Sequence, residues 1–316
     1  MKEMRLGGSP LQVSRIGLGC MRLSDVRSEA MATVRAALEH GINFFDHADV
    51  YGRGKREQVF SAIWEERPGL RDQILLQSKC GICPAGDSGA RAPTRYDFSY
   101  EHIVQSVEGS LRRLKTDHLD VLLLHRPDAL VEPEEVAQAF DELHRAGKVH
   151  FFGVSNHTAA QIQFLQTCVG QPLIANQLEL SVLHSQLIND GIVFNRDDLG
   201  VTSRSEGALE FCRIHNITIQ AWSPLARGVL SGNAVTSPEA RMEQTAALVA
   251  QLAAEKGVSQ EAILIAWLLR HPARIQPIIG TTNPARIAAA CQADKVELSR
   301  EEWYSLFEAG RGGRVP

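Results

Sequence analysis

The chain has 316 residues, of which 44% are hydrophobic and 22% are charged, and its formal net charge is -4. These proportions are ordinary for a globular protein, so the chain can bury a large core without help from disulfides or metals. The negative net charge argues against nucleic acid as the main partner, because binding a polyanion needs a clustered basic surface. A small-molecule ligand is the better expectation.

The start of the chain and its longest apolar run carry no targeting or membrane signal. Residues 1–10 lack an apolar stretch after their basic residues, so we expect no signal peptide and a cytoplasmic protein. The longest apolar run, at residues 262–269, is far shorter than the roughly 20 residues that span a bilayer. We therefore expect no contact with a membrane.

The six cysteines are expected to be free thiols, because a cytoplasmic chain of this size needs no disulfide framework. Cys80 and Cys83 form one CxxC pair. A redox pair of this kind needs its first cysteine at a helix N-terminus, whereas Gly81 and Pro84 indicate a loop. We therefore predict unpaired loop thiols here, and no metal site.

Short apolar runs alternate with helix-length amphipathic segments along the chain, which is typical of repeated βα units and a parallel sheet. Strands are predicted at residues 16–20, 42–46, 73–79, 119–125, 149–155, 173–177, 217–222 and 275–280. Helices are predicted at residues 28–40, 55–66, 100–115, 133–146, 158–168, 202–215, 259–271 and 284–291. Two extra helices are predicted at 241–256 and 300–309, and two long loops at 80–99 and 180–201.

The ends of the predicted helices carry suitable capping residues. They are Ser28, Ser99, Thr158 and Ser259 as N-caps, Pro133 and Pro284 in first turns, and Gly41 and Gly147 after the last turn. Eight βα units close a barrel, so we predict an α/β fold, a (β/α)8 TIM barrel with two extra helices and long loops at its C-terminal face, as one domain over residues 1–316. An open doubly wound sheet is the alternative, but the residues after Gly17 and Gly19 do not form its GxGxxG fingerprint.

Polar residues follow or end most of the predicted strands. They are Asp46, Lys79, His125, Ser155, Asn156, Gln177, Trp222, Ser223, Gly280, Thr281 and Thr282. In a barrel of this type the C-terminal strand ends converge on the active site. Buried polar groups at convergent positions cost free energy unless they pair, so we expect these residues to form one site.

Tyr51 lies five residues after Asp46, near enough to turn back over the barrel mouth. A phenol is a poor acid at neutral pH, but a neighbouring Lys79 ammonium favours the phenolate and lowers the phenol pKa. Asp46 would hold Lys79 charged, and His125 would hydrogen-bond the phenol or a substrate oxygen. His47 and Asp49, beside Tyr51, are interpreted as loop polarity rather than as metal ligands.

The segments around these residues resemble the aldo-keto reductase family. Residues 41–52, GINFFDHADVYG, look like the first signature of the family, and residues 147–156, GKVHFFGVSN, look like the segment that leads into its nicotinamide site. The resemblance covers essentially the whole chain, and residues 125–128, HRPD, look closer to the bacterial oxidoreductase branch. It implies NADPH-dependent reduction of aldehydes or ketones, with hydride from the nicotinamide and the proton from Tyr51.

The same resemblance implies three groups of cofactor-binding residues. Ser155, Asn156 and Gln177 would hydrogen-bond the carboxamide, and Trp222 would stack on the nicotinamide. Ser223, Pro224, Leu225, Arg227 and Gly228 would form the pyrophosphate loop. Gly280, Thr281, Thr282 and Asn283 would open the last helix beside the adenosine 2′-phosphate, which Arg286 would bind.

Two other functions stay open on the sequence. Lys79 would form a Schiff base in a barrel aldolase, and a regulatory barrel would bind NADPH with little turnover. The substrate and the oligomeric state are also open. Four arginines favour an anionic carbonyl compound unless they are simply solvated: Arg22, Arg91, Arg95 and Arg126.

Overall fold

The structure is a computed structural model that describes residues 1–87, 89, 91–193, 206–233 and 239–316. Its strands are β1 (Glu3–Arg5), β2 (Gln12–Ser14), β3 (Gly17–Gly19), β4 (Phe44–Asp46), β5 (Leu75–Cys80), β6 (Ile82–Cys83), β7 (Arg95–Tyr96), β8 (Leu119–Leu124), β9 (Val149–Ser155), β10 (Leu173–Glu179), β11 (Thr218–Trp222) and β12 (Gln276–Ile279). Its helices are α1 (Arg27–Glu39), α2 (Lys55–Phe60), α3 (Ile63–Glu66), α4 (Tyr100–Leu114), α5 (Pro133–Arg145), α6 (Ala159–Leu165), α7 (Gln186–Val193), α8 (Ala208–Ile214), α9 (Ala240–Lys256), α10 (Gln260–Arg270), α11 (Pro284–Cys291) and α12 (Arg300–Arg311).

Eight parallel strands close the predicted barrel, in the order β3, β4, β5, β8, β9, β10, β11 and β12, which returns to β3. Each contains or overlaps one predicted strand. β8 shows why the prediction worked: all six of its residues, LDVLLL, are buried, and a strand covered on both faces reads as a continuous apolar run. The barrel architecture is therefore confirmed, and α9 and α12 are the two predicted extra helices.

Several helix boundaries differ from the prediction. The expected helix at 55–66 is divided into α2 and α3 around Ser61. Ser28 lies inside α1 rather than at its N-cap, and Ser24 instead accepts a hydrogen bond from the Val26 N–H at 3.1 Å. Of the helix expected at 202–215, residues 202–205 lie outside the described part of the chain. Ser99, Thr158 and Ser259 are confirmed as N-caps, since each accepts a hydrogen bond from the first turn of its helix.

An N-terminal hairpin, which the sequence analysis missed, closes the lower end of the barrel. Its strands β1 and β2 are antiparallel, and the side chains of Leu6 and Val13 are buried against Phe44, Ile174 and neighbouring residues inside the barrel. The turn is so close to β10 that a Cβ on Gly7 would lie 2.2 Å from the Ile174 carbonyl oxygen.

The two long loops have structure of their own. β6 and β7 form a small antiparallel hairpin within residues 80–99, and α7 lies within residues 180–201, of which 194–201 are outside the described residues. Each of the six cysteines is free. Among the described helices, none is long and apolar enough to cross a membrane.

Truncation of Leu6 is expected to destabilise the barrel. Leu6 is fully buried in the lower apolar cluster, so Leu6→Ala should lower the free energy of unfolding by about 2–5 kcal/mol. The matched control is Leu130→Ala, because Leu130 is 85% exposed and its loss should change the free energy by less than about 0.5 kcal/mol. Urea unfolding measures the free energy of unfolding of both variants. Equal decreases would contradict the conclusion that Leu6 of the hairpin packs into the lower end of the barrel.

Candidate active site

The strand ends and one loop bring four of the predicted polar residues together. Asp46 ends β4, Lys79 lies near the end of β5, and His125 follows β8. After β4 the chain turns back, with the Tyr51 N–H donating to the Ala48 carbonyl at 3.1 Å. This turn places the phenol over Lys79.

The Lys79 ammonium is the centre of this group. Its Nζ donates to both oxygens of the Asp46 carboxylate at 2.6 and 2.7 Å and to the His47 carbonyl at 2.9 Å. A fourth contact, at 3.2 Å, is to the Tyr51 hydroxyl oxygen. The ring of His125 stands edge-on to Tyr51, with 5.8 Å between the centroids. Because the phenol oxygen accepts from Lys79, its own proton is free to point into the site.

The protonation states follow from burial and from these charges. Burial alone would favour the neutral amine of Lys79, but the Asp46 carboxylate and Tyr51 raise the Lys79 pKa above its usual value. Burial, followed by the Lys79 and Arg126 charges, holds the pKa of His125 well below its usual value. Lys79 is therefore an ammonium and His125 a neutral imidazole at neutral pH.

The net pKa of Tyr51 differs from the expectation. Lys79 does lower it, as its charge requires, but burial acts in the opposite direction and is the larger effect, so the pKa lies above the usual value of a phenol. In the protein alone, Tyr51 is thus held protonated, which is the form that can donate a proton.

Two glutamines that flank Asp46 complete its hydrogen bonding. Gln77 Nε2 donates to Asp46 Oδ1 at 2.6 Å and Gln177 Nε2 donates to the same oxygen at 3.1 Å. Gln77 was not among the predicted site residues, although the sequence contains a signal for it. Gln77 lies two residues before Lys79, and alternate residues of a strand point to the same face.

A cavity of about 710 Å³ opens at these strand ends. Its lining contains every residue predicted for the site except Lys79, which lies beneath Tyr51. Its lining also contains four residues that were not predicted for the site, namely Gly19, Met21, Asn233 and Ile278. The volume is in the range of cofactor and ligand sites, which is about 300–1,000 Å³.

The residues predicted to meet the carboxamide are linked to one another. The Asn156 Nδ2 donates to Ser155 Oγ at 2.8 Å, and Ser155 Oγ donates to the Gln177 carbonyl at 2.9 Å. Trp222 Nε1 donates to Asn156 Oδ1 at 3.2 Å, so the indole is held in place beside the cavity. The Arg126 guanidinium lies over the indole ring, 5.9 Å from its centroid.

The loop after β11 has an unusual backbone. Ser223, Ala226 and Arg227 have φ angles of 52°, 45° and 61°, and Gly228 follows at 80°. Left-handed conformations at non-glycine residues store strain and occur at ligand-binding sites. Successive N–H groups turned in this way form an anion-binding concavity.

The start of α11 forms the far end of the cavity. Asn283 caps this helix by accepting from the Ala285 N–H at 2.9 Å. Arg286 is oriented by two neighbours, since its Nε donates to Glu261 at 3.2 Å and one terminal nitrogen donates to Ser231 Oγ at 3.3 Å. A helix N-terminus beside a guanidinium suits a phosphate group.

Of the four arginines considered for the substrate, two line the cavity. They are Arg22 and Arg126, whereas Arg95 pairs with Asp97 on the β6–β7 hairpin at 3.7 Å. A second cavity of about 340 Å³ shares Arg126, Asn156 and Trp222 with the first.

Comparison with known proteins agrees with the fold and with the expected family. The family model described as Aldo/keto reductase family matches residues 15–310. The chain is 36% identical over 310 residues to a 6-dehydroglucose reductase of Agrobacterium fabrum, covering 96% of this chain and 97% of that protein. It is 35% identical over 308 residues to Oxidoreductase YdhF of Escherichia coli, covering 96% of each. A solved aldo-keto reductase of Bacillus halodurans, in its holo form, shares the fold with a TM-score of 0.79 at 24% identity, over 99% of this chain and 98% of that chain.

The family model and these relatives identify the class of the protein as an NAD(P)H-dependent carbonyl oxidoreductase. The chain belongs to the aldo-keto reductase family.

His47, next to Asp46, plays a structural part. It is fully buried and edge-on to Phe60, and neither of its ring nitrogens has a hydrogen-bond partner among the residues that the structure describes. Burial and the Lys79 charge lower its pKa from 6.5 to about 3. It is therefore a neutral core residue at neutral pH.

Replacement of His47 is expected to make folding less sensitive to acid. The unfolded chain protonates His47 below its usual pKa of 6.5, whereas the folded chain does so only near 3, so stability is lost as the pH falls through this window. By about pH 5 the loss is about 2 kcal/mol. Urea unfolding at about pH 7.5 and about pH 5 should show an acid-induced decrease that is smaller by about 2 kcal/mol in His47→Leu. The exposed His40 supplies the control, and a decrease in His47→Leu no smaller than in His40→Leu would disprove the assignment.

Proposed function

We propose that the chain reduces an aldehyde or ketone with NADPH, and that Tyr51 donates the proton to the carbonyl oxygen. The observation that carries this proposal is the contact between the Tyr51 hydroxyl and the Lys79 ammonium, which is in turn paired with Asp46 beside the cavity. In this arrangement the hydroxyl proton of Tyr51 faces a cavity that is large enough for a ligand.

The proposed roles follow from the protonation states. Tyr51 is neutral and its proton is directed away from Lys79, so it can be donated. As the carbonyl oxygen takes this proton, negative charge develops on the phenol oxygen, and the adjacent ammonium stabilises it. His125 is neutral, so its single N–H can orient the carbonyl oxygen without competing as an acid. Asp46 acts through Lys79 as a positioning residue.

The two other functions that the sequence left open find less support. A Schiff-base lysine must lose its proton to attack a carbonyl, whereas the raised pKa of Lys79 keeps its nitrogen protonated. A regulatory barrel without turnover needs no proton donor over its lysine, yet the phenol, ammonium and carboxylate are assembled in contact.

The chain's own residues fit a dinucleotide. A bound nicotinamide would supply the hydride. Gln177 uses its N–H groups on Asp46 and Gln220, which leaves its carbonyl oxygen as the acceptor for a carboxamide N–H. Trp222, fixed by Asn156, offers an aromatic face. The left-handed residues 223 and 226–228 offer N–H groups to the diphosphate.

The end of the cavity at α11 supports NADPH over NADH. Arg286 lines this end and is already oriented by Glu261 and Ser231. A guanidinium matches the oxygens of a 2′-phosphate through two parallel hydrogen bonds and gains less from a ribose hydroxyl. Thr281, Thr282 and the capped start of α11 add hydroxyl and N–H donors at the same place.

A polar carbonyl compound is the proposed substrate class. Arg22 and Arg126 line the cavity that Tyr51 shares, and Arg126 also borders the smaller cavity with His184 and Gln186. These side chains can bind hydroxyl or carboxylate groups of a substrate. The relative described as a 6-dehydroglucose reductase makes sugar aldehydes the first compounds to assay.

Removal of the Tyr51 hydroxyl should abolish most of the turnover. NADPH oxidation is measured with sugar aldehydes, dicarbonyls and keto acids, and kcat of the best substrate should fall by roughly 100- to 10,000-fold in Tyr51→Phe. NADPH binding, followed by protein fluorescence quenching, should be retained because the ring remains. Turnover equal to that of the unsubstituted chain would rule out Tyr51 as the proton donor.

Replacement of Arg286 should reduce the preference for NADPH. The KM for NADPH should rise by roughly 10- to 100-fold in Arg286→Ala, because a hydrogen bond to a charged group contributes about 1.5–3 kcal/mol. The KM for NADH should change little. Arg213, an exposed arginine on α8, provides the control variant Arg213→Ala. Equal increases for both cofactors would show that Arg286 does not recognise the 2′-phosphate.

A further inference from the structure

The interior of the barrel beneath the site contains a group of polar side chains as well as the apolar cluster against the hairpin. Four glutamines from four strands, Gln77, Gln177, Gln220 and Gln276, are each at most 3% exposed. Branched apolar residues usually dominate the interior of such a barrel. Buried amides without partners cost free energy, so a set of four requires a common explanation.

Their side chains form one continuous chain of hydrogen bonds, which we call the glutamine ladder. Gln276 Nε2 donates to the Ser14 carbonyl at 2.9 Å, and Gln220 Nε2 donates to Gln276 Oε1 at 2.9 Å. Gln220 Oε1 in turn accepts from Gln77 Nε2 at 2.9 Å and from Gln177 Nε2 at 3.1 Å. These last two nitrogens also donate to Asp46 Oδ1. The ladder thus runs from the N-terminal hairpin to the Asp46 carboxylate.

The chemistry at the ends of the ladder sets the direction of every amide. The orientation of a single amide follows only from its hydrogen-bond partners. The Ser14 carbonyl can only accept, so Gln276 must present its nitrogen there and its oxygen to Gln220. Gln220 must then turn its own oxygen to Gln77 and Gln177. Their nitrogens therefore face Asp46, which as a carboxylate can also only accept.

The hairpin end of the ladder is itself held in place. The Ser14 N–H donates to Asn43 Oδ1 at 2.7 Å, and the Ser14 hydroxyl donates to the Ile16 carbonyl at 2.7 Å. The carbonyl of Ser14 is therefore a fixed acceptor at the lower end of the barrel.

We infer that Gln220 and Gln276 are positioning residues for proton transfer, because they orient the amides of Gln77 and Gln177 so that their N–H groups face the Asp46 carboxylate, which pairs with Lys79 beneath Tyr51. This inference rests on the proposed function of the same site. An amide that turned over would place its oxygen against the carboxylate instead. Asp46 would then be a poorer counter-ion, and Lys79 a weaker partner for the phenol.

The consequence for Tyr51 has a definite sign. The groups that act on its ionisation are Lys79 and Asp46 from the neighbouring strands, and the Cys20 thiol. His125 faces the same ring, and Arg126 follows it in the chain. Of these, Lys79 is in direct contact with the phenol oxygen. Weakening its charge therefore makes Tyr51 harder to ionise, and its pKa rises.

The test is the ionisation of Tyr51 in Gln220→Met. The chain has four tyrosines, so the signal of Tyr51 is obtained as the ultraviolet difference between each protein and its Tyr51→Phe counterpart during titration. We expect the Tyr51 midpoint to move up by about one pH unit. The alkaline limit of kcat/KM should move in the same direction, since Tyr51 must be protonated to act. At neutral pH kcat should fall roughly tenfold with little change in the KM for NADPH.

Two further variants distinguish the loss of amide orientation in the ladder from the loss of side-chain packing at Gln220. Gln220→Glu keeps the length of the side chain, and as a buried neutral acid it retains one acceptor and one donor, so it should restore both the midpoint and the alkaline limit. Gln276→Met, one step further from the site, should shift both in the same direction by a smaller amount. It also provides the measurement if Gln220→Met does not fold.

Gln166→Met is a control for the loss of glutamine hydrogen bonds outside the ladder, at an exposed position. Gln166 makes three hydrogen bonds, to the Val169 and Gln171 carbonyls and from the Leu173 N–H, at the lower end of β10 and outside the ladder. It should reduce stability without moving the Tyr51 midpoint.

An unchanged midpoint in Gln220→Met and Gln276→Met, or an equal shift in Gln166→Met, would overturn the inference. The titration needs no substrate. Absence of carbonyl reduction by the unsubstituted chain would therefore count against the proposed function alone, and an unmoved midpoint against the ladder alone.

Discussion

The buried ion pair between Asp46 and Lys79 is the interaction on which the site depends. Removing two such charges from water costs several kcal/mol for each ion, and the attraction between them offsets this only with good geometry and further hydrogen bonds. Here Lys79 contacts both carboxylate oxygens, the His47 carbonyl and the Tyr51 hydroxyl. Every polar hydrogen of the ammonium therefore has a protein acceptor nearby, and the phenol is one of them.

The same constraint explains the four glutamines inside the barrel. A carboxylate paired with one cation can still accept further hydrogen bonds. Asp46 accepts two of them, from the side-chain amides of Gln77 and Gln177. Those amides need partners in turn, and the requirement passes through Gln220 and Gln276 to a backbone carbonyl on the hairpin. The hairpin thus has two roles, since its apolar side chains close the barrel and its backbone ends the chain of hydrogen bonds.

The side of the cavity where we propose that the cofactor binds is built differently. Its shape comes from backbone conformation, with left-handed residues at Ser223 and from Ala226 to Gly228, and from one aromatic ring held by Asn156. Strain of this kind persists only where the surrounding structure fixes it. The strand ends on one side and the strained loop on the other border the cavity that Tyr51 and Trp222 both line, where we propose that the carbonyl compound is reduced.

Several features were predictable from the sequence because they are local. Buried parallel strands read as apolar runs, which located the barrel, and most of the polar residues that end those runs line one cavity. Most helix caps were predicted for the same reason. The hairpin β1–β2 was missed, because two strands of three residues each are too short to show a period. Ser28 was misplaced as a cap because α1 already begins at Arg27, after Val26, and its start has no side-chain cap.

What the sequence determined by itself is the order of chemical groups around the barrel mouth, since each strand end delivers its own side chain there. What only the tertiary structure decided is how these groups act on one another. Gln276 and Ser14 meet across 262 residues, and Gln77 and Gln220 across 143, distances that no local pattern reports. The pKa of Tyr51 is set by burial against the charge of Lys79. The long-range hydrogen bonds and the pKa of Tyr51 both depend on the closed sheet. Its register and curvature determine which side chains share the interior and how much water reaches them.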